Sequence, residues 1–157
     1  MDSFEERVRA CDWASEPRSE WHAPENVPAA LMRAWRGDAA TCRVLMDALA
    51  HDHAGSWYPV LLPAMPFLHG VLRHAPPDGA SGVLALLGDL AGCFDADPET
   101  AHDVHRHELA FRDGLRALCP TVKTLAAHGG DVAGLATEVA TDIEERLADD
   151  RRLAQAR

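Results

Sequence analysis

Apolar residues recur along this chain at three- and four-residue steps, a spacing that predicts helices almost throughout. The richest stretch covers residues 58–72. Leu61, Met65, Leu68 and Leu72 form one stripe, and Val60, Ala64, Phe67 and Val71 form a second beside it. Two adjacent stripes make a helix buried over a wide arc. Pro59 suits a first helical turn, where no N–H is needed. Pro63 and Pro66 each remove a later hydrogen bond, so a firm helix is expected from about Pro63 to His74, with a loosened start.

The flanking segments follow the same logic. Ser3-Phe4-Glu5-Glu6 reads as a capping box opening a short helix with Phe4, Val8 and Cys11 on its inner face. Residues 12–26 have no period, and Trp13 and Trp21 are expected to fold them back onto the body. Asn26-Val27-Pro28 opens a helix carrying Leu31, Met32 and Trp35. Gly37-Asp38 ends it and caps a helix with Cys42, Leu45, Met46 and Leu49 on one face. A turn fills 51–57, with Ser56 expected as the cap of the central helix. Ala75-Pro76-Pro77-Asp78-Gly79 reads as a loop. Val83, Leu86, Leu87, Leu90 and Ala91 mark the next helix. Asp97-Pro98-Glu99 predicts a helix start, with Pro120 interrupting after Cys119. Val122, Leu125 and Ala126 predict a short helix closed by Gly129-Gly130. Asp131 is expected to cap a last helix with Val132, Leu135, Val139, Ile143 and Leu147 inside and Arg151, Arg152 and Arg157 at its end.

The expected class is all-α, built of antiparallel helix pairs. Residues 43–50 can be laid on 84–91, with 122–127 a fainter third copy, at spacings of about 40 residues, the length of a two-helix repeat. A short right-handed HEAT-like stack in one domain follows: 1–26 as an N-terminal cap, 27–128 as helix pairs, 131–155 as a capping helix.

Composition sharpens this picture. A length of 157 residues suits one domain with a real core, and Ala and Leu dominate an apolar share of 47%, which favours helix over strand. The formal charge of -10 repels phosphate backbones, and basic residues cluster only at the C-terminal end, so nucleic acid is not an expected partner. No apolar run approaches the ~20 residues of a membrane span. The N-terminus lacks the look of a signal peptide. Cys11, Cys42, Cys93 and Cys119 are far apart with no CxxC pair, as in a reduced, cytoplasmic protein. Nine histidines would offset most of the negative charge in acid, so acid-dependent solubility or assembly is expected.

The densest polar cluster is His102-Asp103-Val104-His105-Arg106-His107-Glu108. On a helical wheel Val104, Phe111, Leu115 and Leu118 define an apolar face. His107 and Glu108 fall on that face, His105 flanks it and His102 points away. A carboxylate on a core face is costly unless it is paired or lines a cavity. Two readings follow. In one the helix is rotated or overhangs, leaving both side chains wet. In the other Glu108 and His107 are a catalytic acid and base, Glu108 being protonated unless a histidine or metal holds it charged. Candidate ligand-binding residues around such a site are His53, His69 and His105, with Trp57 and Tyr58 flooring a pocket or simply filling the core. A mononuclear metal site needs His51, His53 or His69 to converge there. Phe111 stands four after His107, so there is no HExxH. Nucleophile-elbow, P-loop and dinucleotide motifs are also missing, and no complete motif requires a cofactor.

Trp21 through Pro28, then His53-Ala54-Gly55-Ser56-Trp57-Tyr58-Pro59, Pro63-Ala64-Met65-Pro66-Phe67-Leu68 and Leu86-Leu87-Gly88-Asp89-Leu90-Ala91 carry a resemblance. In order and spacing they resemble actinobacterial HEAT-repeat-like proteins, which share an H-x-G-[ST] turn leading into a Pro-x-x-Pro-Phe-Leu helix. The likeness covers residues 21–92. It implies a helical stack and protein binding, since some members look like antidotes encoded beside toxins, and it supplies no catalytic residue. His107-Glu108-Leu109-Ala110 resembles the His-Glu motif of di-iron HEAT-repeat hydroxylases, which carry several such motifs where this chain has one. His51-Asp52 and His102-Asp103 resemble the His-Asp pair of helical metal phosphohydrolases. The preferred expectation is a small non-enzymatic binding module with a protein partner, a basic one suiting the acidic surface. The rival is a small helical enzyme or small-molecule-binding protein centred on His107 and Glu108.

Overall fold

The computed structural model describes residues 3–17, 22–128 and 130–149. Helix makes up 76% of it, so the chain is all-α. The seven helices among the described residues are α1 (Phe4–Ala10), α2 (Val27–Trp35), α3 (Thr41–Leu49), α4 (Leu61–His74), α5 (Pro77–Gly92), α6 (Val104–His128) and α7 (Ala133–Ala148). Three two-residue strands, β1 (Ala50–His51), β2 (Ser56–Trp57) and β3 (Asp95–Ala96), form a small sheet that the sequence reading lacked. β1 and β2 pair antiparallel, Ala50 opposite Trp57, and β3 joins β2 in parallel, Ser56 opposite Asp95.

Packing follows the apolar stripes. α2 packs on α3, α4 on α5 and α6 on α7. Across pairs, α2 meets α4, α4 meets α6, α3 meets α5 and α5 meets α7. The inner faces of α4 and α5 supply much of the core, with Leu61, Leu68, Val71, Val83, Leu86 and Leu87 fully buried. α1 forms with its capping box in place, Ser3 Oγ accepting from Glu6 N–H and Glu6 accepting from Ser3 N–H. Phe4 stacks on Trp35 at 4.2 Å, and Trp13 seats itself against Phe67 while donating its Nε1–H to Val8 O, so the N-terminal segment is held by aromatic contact as expected. Trp21, Arg151, Arg152 and Arg157, which also carried expectations, lie outside the described residues.

Several boundaries differ from the sequence reading, each for a local reason. Ser56 is not a helix cap: it is buried in β2, and α4 begins at Leu61 without a side-chain cap. Pro63 therefore sits in the first turn, where its missing N–H costs nothing. Residues 75–79 are not all loop, because Pro77 starts α5 and Gly79 lies inside it. Asp97 does not open a helix. Its N–H donates to Trp57 O, extending the β3 ladder, and its side chain accepts from Glu99 N–H. Asp103 takes that role further on: its Oδ1 accepts from Arg106 N–H and its carbonyl from His107 N–H. Asp131 lies in a 3₁₀ turn and does not cap α7, whose first residue follows Val132. α6 runs through Pro120 as one helix of 25 residues, so 122–127 is not a separate third copy. Pro120 faces solvent while Leu118 and Val122 are buried on either side, and that packing outweighs one lost backbone bond.

Candidate functional site

The carboxylate of Glu108 is 3% exposed as a residue, on the apolar face of α6 where the wheel placed it. What meets it is an arginine of α7. Arg146, itself 2% exposed, donates from Nε to Oε1 at 2.9 Å and from Nη2 to Oε2 at 2.7 Å. Its Nη1 donates to Phe94 O at 2.6 Å, and the guanidinium lies 5.3 Å from the centre of the Phe111 ring. The two-pronged geometry matches the fork of the guanidinium to both carboxylate oxygens. Beside it Arg112 donates to the carbonyls of Leu147 and Asp149, satisfying the end of α7. This cluster ties α6, α7 and the segment before β3 together.

Among the described residues, none of the histidines expected around Glu108 is hydrogen-bonded to it. His107 is half-buried, and its Nδ1 donates to Asp103 O at 2.7 Å within its own helix. His69 meets Thr121 Oγ1 at 2.7 Å between α4 and α6. Burial, with Arg73 and His74 nearby, pushes its imidazole below the ordinary histidine range. His105 is half-buried, with Nδ1 lacking a hydrogen-bond partner among the described residues. Trp57 is fully buried and packs on Phe111 at 5.0 Å, so it fills core. Among the described residues no three His, Cys, Asp or Glu side chains are arranged to hold a metal ion.

His53 and Tyr58 line an open surface cleft of about 820 Å³ along α3. Cys42, Arg43, Met46 and Asp47 come from α3, His51, Asp52 and His53 from β1 and the 3₁₀ turn after it, and Asp89 from α5. Gly55 makes the turn possible, with φ +61 in the left-handed region. Tyr58 is fixed at the wall by a stack on His22, ring centres 4.0 Å apart, and His22 Nε2 donates to Ala48 O at 2.8 Å. Three aspartates face one arginine across this lining. Asp47, Asp52 and Asp89 form no ion pair among the described residues. Burial and then the Asp52 carboxylate push the Asp89 carboxyl up from its usual range. Burial, then Asp89 and Asp52, push the Cys42 thiol up as well, which disfavours a thiolate nucleophile there. A smaller groove of about 230 Å³ on the other flank of α3, floored by Ala29, Ala30, Val44 and Ala48, shares Asp47.

The sequence reading grouped His53 and Tyr58 with Glu108, whereas both line the cleft along α3, and it missed Asp47, Asp52 and Asp89 as their neighbours. In the two segments that align, 43–50 and 84–91, Asp47 falls opposite Gly88 and Asp89 opposite Ala48, so the repeat carried no signal that joins the two aspartates. No known protein family, curated protein or solved structure matches this chain, so a functional reading rests on the residues just described.

Proposed function

We propose that this chain is a small HEAT-like helical binding module that recognises a basic partner protein, adaptor- or antidote-like, through the cleft along α3. The observation that carries this is the acidic lining: three carboxylates without ion-pair partners among the described residues, on an open concave wall of about 820 Å³. Uncompensated charge of one sign in a concavity steers and selects partners of the other sign. The alternating contacts of helix pairs support the HEAT-like part of the reading, since stacked pairs leave concave surfaces between successive helices. The same negative field disfavours nucleic acid. We place the module in the cytoplasm, where thiols such as these four, none of them in a disulfide, stay reduced. Among the described residues no helix is long and apolar enough to cross a membrane. The rival site at His107 and Glu108 is less favoured, because both oxygens of Glu108 are already taken by Arg146.

Affinity purification tests this with two baits, the wild-type chain and an Asp47→Asn/Asp52→Asn/Asp89→Asn variant shown to be folded by circular dichroism. A protein held by the wild type, released by salt and lost on the variant supports the reading. Retention indifferent to the three substitutions, or turnover of a small molecule at Glu108, contradicts it.

A further inference from the structure

His51 and His53 bracket Asp52 at one end of the acidic cleft, and both imidazoles line it. The groups facing them come from every wall: Cys42, Arg43 and Asp47 from α3, Asp52 from the turn itself, Asp89 from α5, and the Tyr58 ring. His51 is held against Tyr58, with ring centres 6.5 Å apart and planes 16° from parallel, while His53 is exposed. With both imidazoles neutral the lining carries a net of two negative charges, and with both protonated it carries none.

We propose that His51 and His53 gate the cleft by pH, holding a cationic segment of a partner when neutral and loosening it when protonated. This rests on the reading that the cleft takes a basic partner. Histidine is the residue type whose charge changes between about pH 5 and 8. Acid also acts on Asp89 in the same direction, since its carboxyl, pushed up by burial and by Asp52, regains its proton sooner than an ordinary aspartate. The two effects add, because each removes negative charge from the same wall.

The test is fluorescence anisotropy with a rhodamine-labelled decapeptide of alternating lysine and alanine, at constant ionic strength and at about pH 7.5 and about pH 5.5. The wild type is expected to bind about tenfold more weakly at the lower pH. A His51→Gln/His53→Gln variant is expected to lose most of that difference. A His102→Gln/His128→Gln variant, which removes two histidines that do not line the cleft, is expected to keep it. His53→Gln alone, at an exposed position, should remove part of the difference and covers the case in which the double variant unfolds. Equal wild-type binding at both pH values overturns the gate and leaves the basic-partner reading standing. So does an equal flattening by the His102/His128 variant, which would make the effect one of overall charge. No binding at about pH 7.5 overturns the basic-partner reading itself, and the gate with it.

Discussion

Glu108 and Arg146 are each a charge on an apolar helix face, and each is tolerated because of the other. Removing one leaves a buried charge without its counter-ion, whereas removing both together leaves little to desolvate. Glu108→Leu is therefore expected to lower unfolding free energy by about 3–5 kcal/mol in urea denaturation. Glu108→Leu combined with Arg146→Met should recover much of that loss; simple additivity of the two single changes would contradict the pairing. Half of this was legible in the sequence. Glu108 stood out as a carboxylate on a core stripe, and Arg146, three residues after Ile143 and seven after Val139, stands on the corresponding stripe of α7. That the two meet depends on how α6 and α7 pack, which no local pattern encodes. Asp89 gives a second residue-scale prediction, with the opposite sign. Its carboxyl is pushed up, so the folded chain holds that proton more tightly than the unfolded one, and stability falls as pH rises through the acid range above 3.8. The side chain is exposed, so solvent screens most of this effect, and Asp89→Asn should leave the melting temperature unchanged or slightly raised in calorimetry while weakening partner binding. A fall in melting temperature would show that the carboxylate is compensated by something the cleft geometry omits.

Among the elements, α5 is the one whose neighbours set the tightest limits. Its first turns pass the end of α2 and the start of α3 so closely that a Cβ at Gly79 would lie 2.1 Å from Ala34 O, and one at Gly82 2.5 Å from Thr41 Cβ. Gly79→Ala should therefore destabilise by about 1–3 kcal/mol despite alanine's higher helix propensity. In α7, nothing lies within 4 Å of a Cβ at Gly134, so Gly134→Ala should stabilise by up to about 1 kcal/mol. Thermal denaturation of the two variants side by side checks the contrast; destabilisation of equal size in both would contradict it. The apolar stripes of α3, α4, α5 and α7 were readable because one face of each is buried and the period shows it. The ends were less readable. Asp97-Pro98-Glu99 has the composition of a helix start, yet its backbone is committed to the strand beside Trp57, and Pro120 has the composition of a break, yet α6, packed on α4 and α7, continues past it. Both are cases of tertiary contact outweighing local preference. β1, β2 and β3 were invisible because two residues cannot show an alternating pattern.

At the scale of the molecule, a net charge of -10 on a helical body gives a negative field, and the cleft along α3 gives that field a concave outlet, the basis of the proposal that the partner is basic. His53 and Tyr58 stood out in the sequence as candidates beside Glu108, and the fold puts them in this cleft instead; the three aspartates that give the wall its sign come from three separate elements and only the fold assembles them. The central claim, that this cleft and not the Glu108 region is the binding surface, is tested most directly by amide chemical-shift mapping. The ¹⁵N-labelled chain would be titrated with the partner recovered by affinity purification. The account predicts shifts concentrated at Cys42, Asp47, His51, His53, Tyr58 and Asp89, diminishing as salt is raised. Shifts concentrated instead on α6 and α7 around His107, Glu108 and Arg146, with the cleft unmoved, would contradict it.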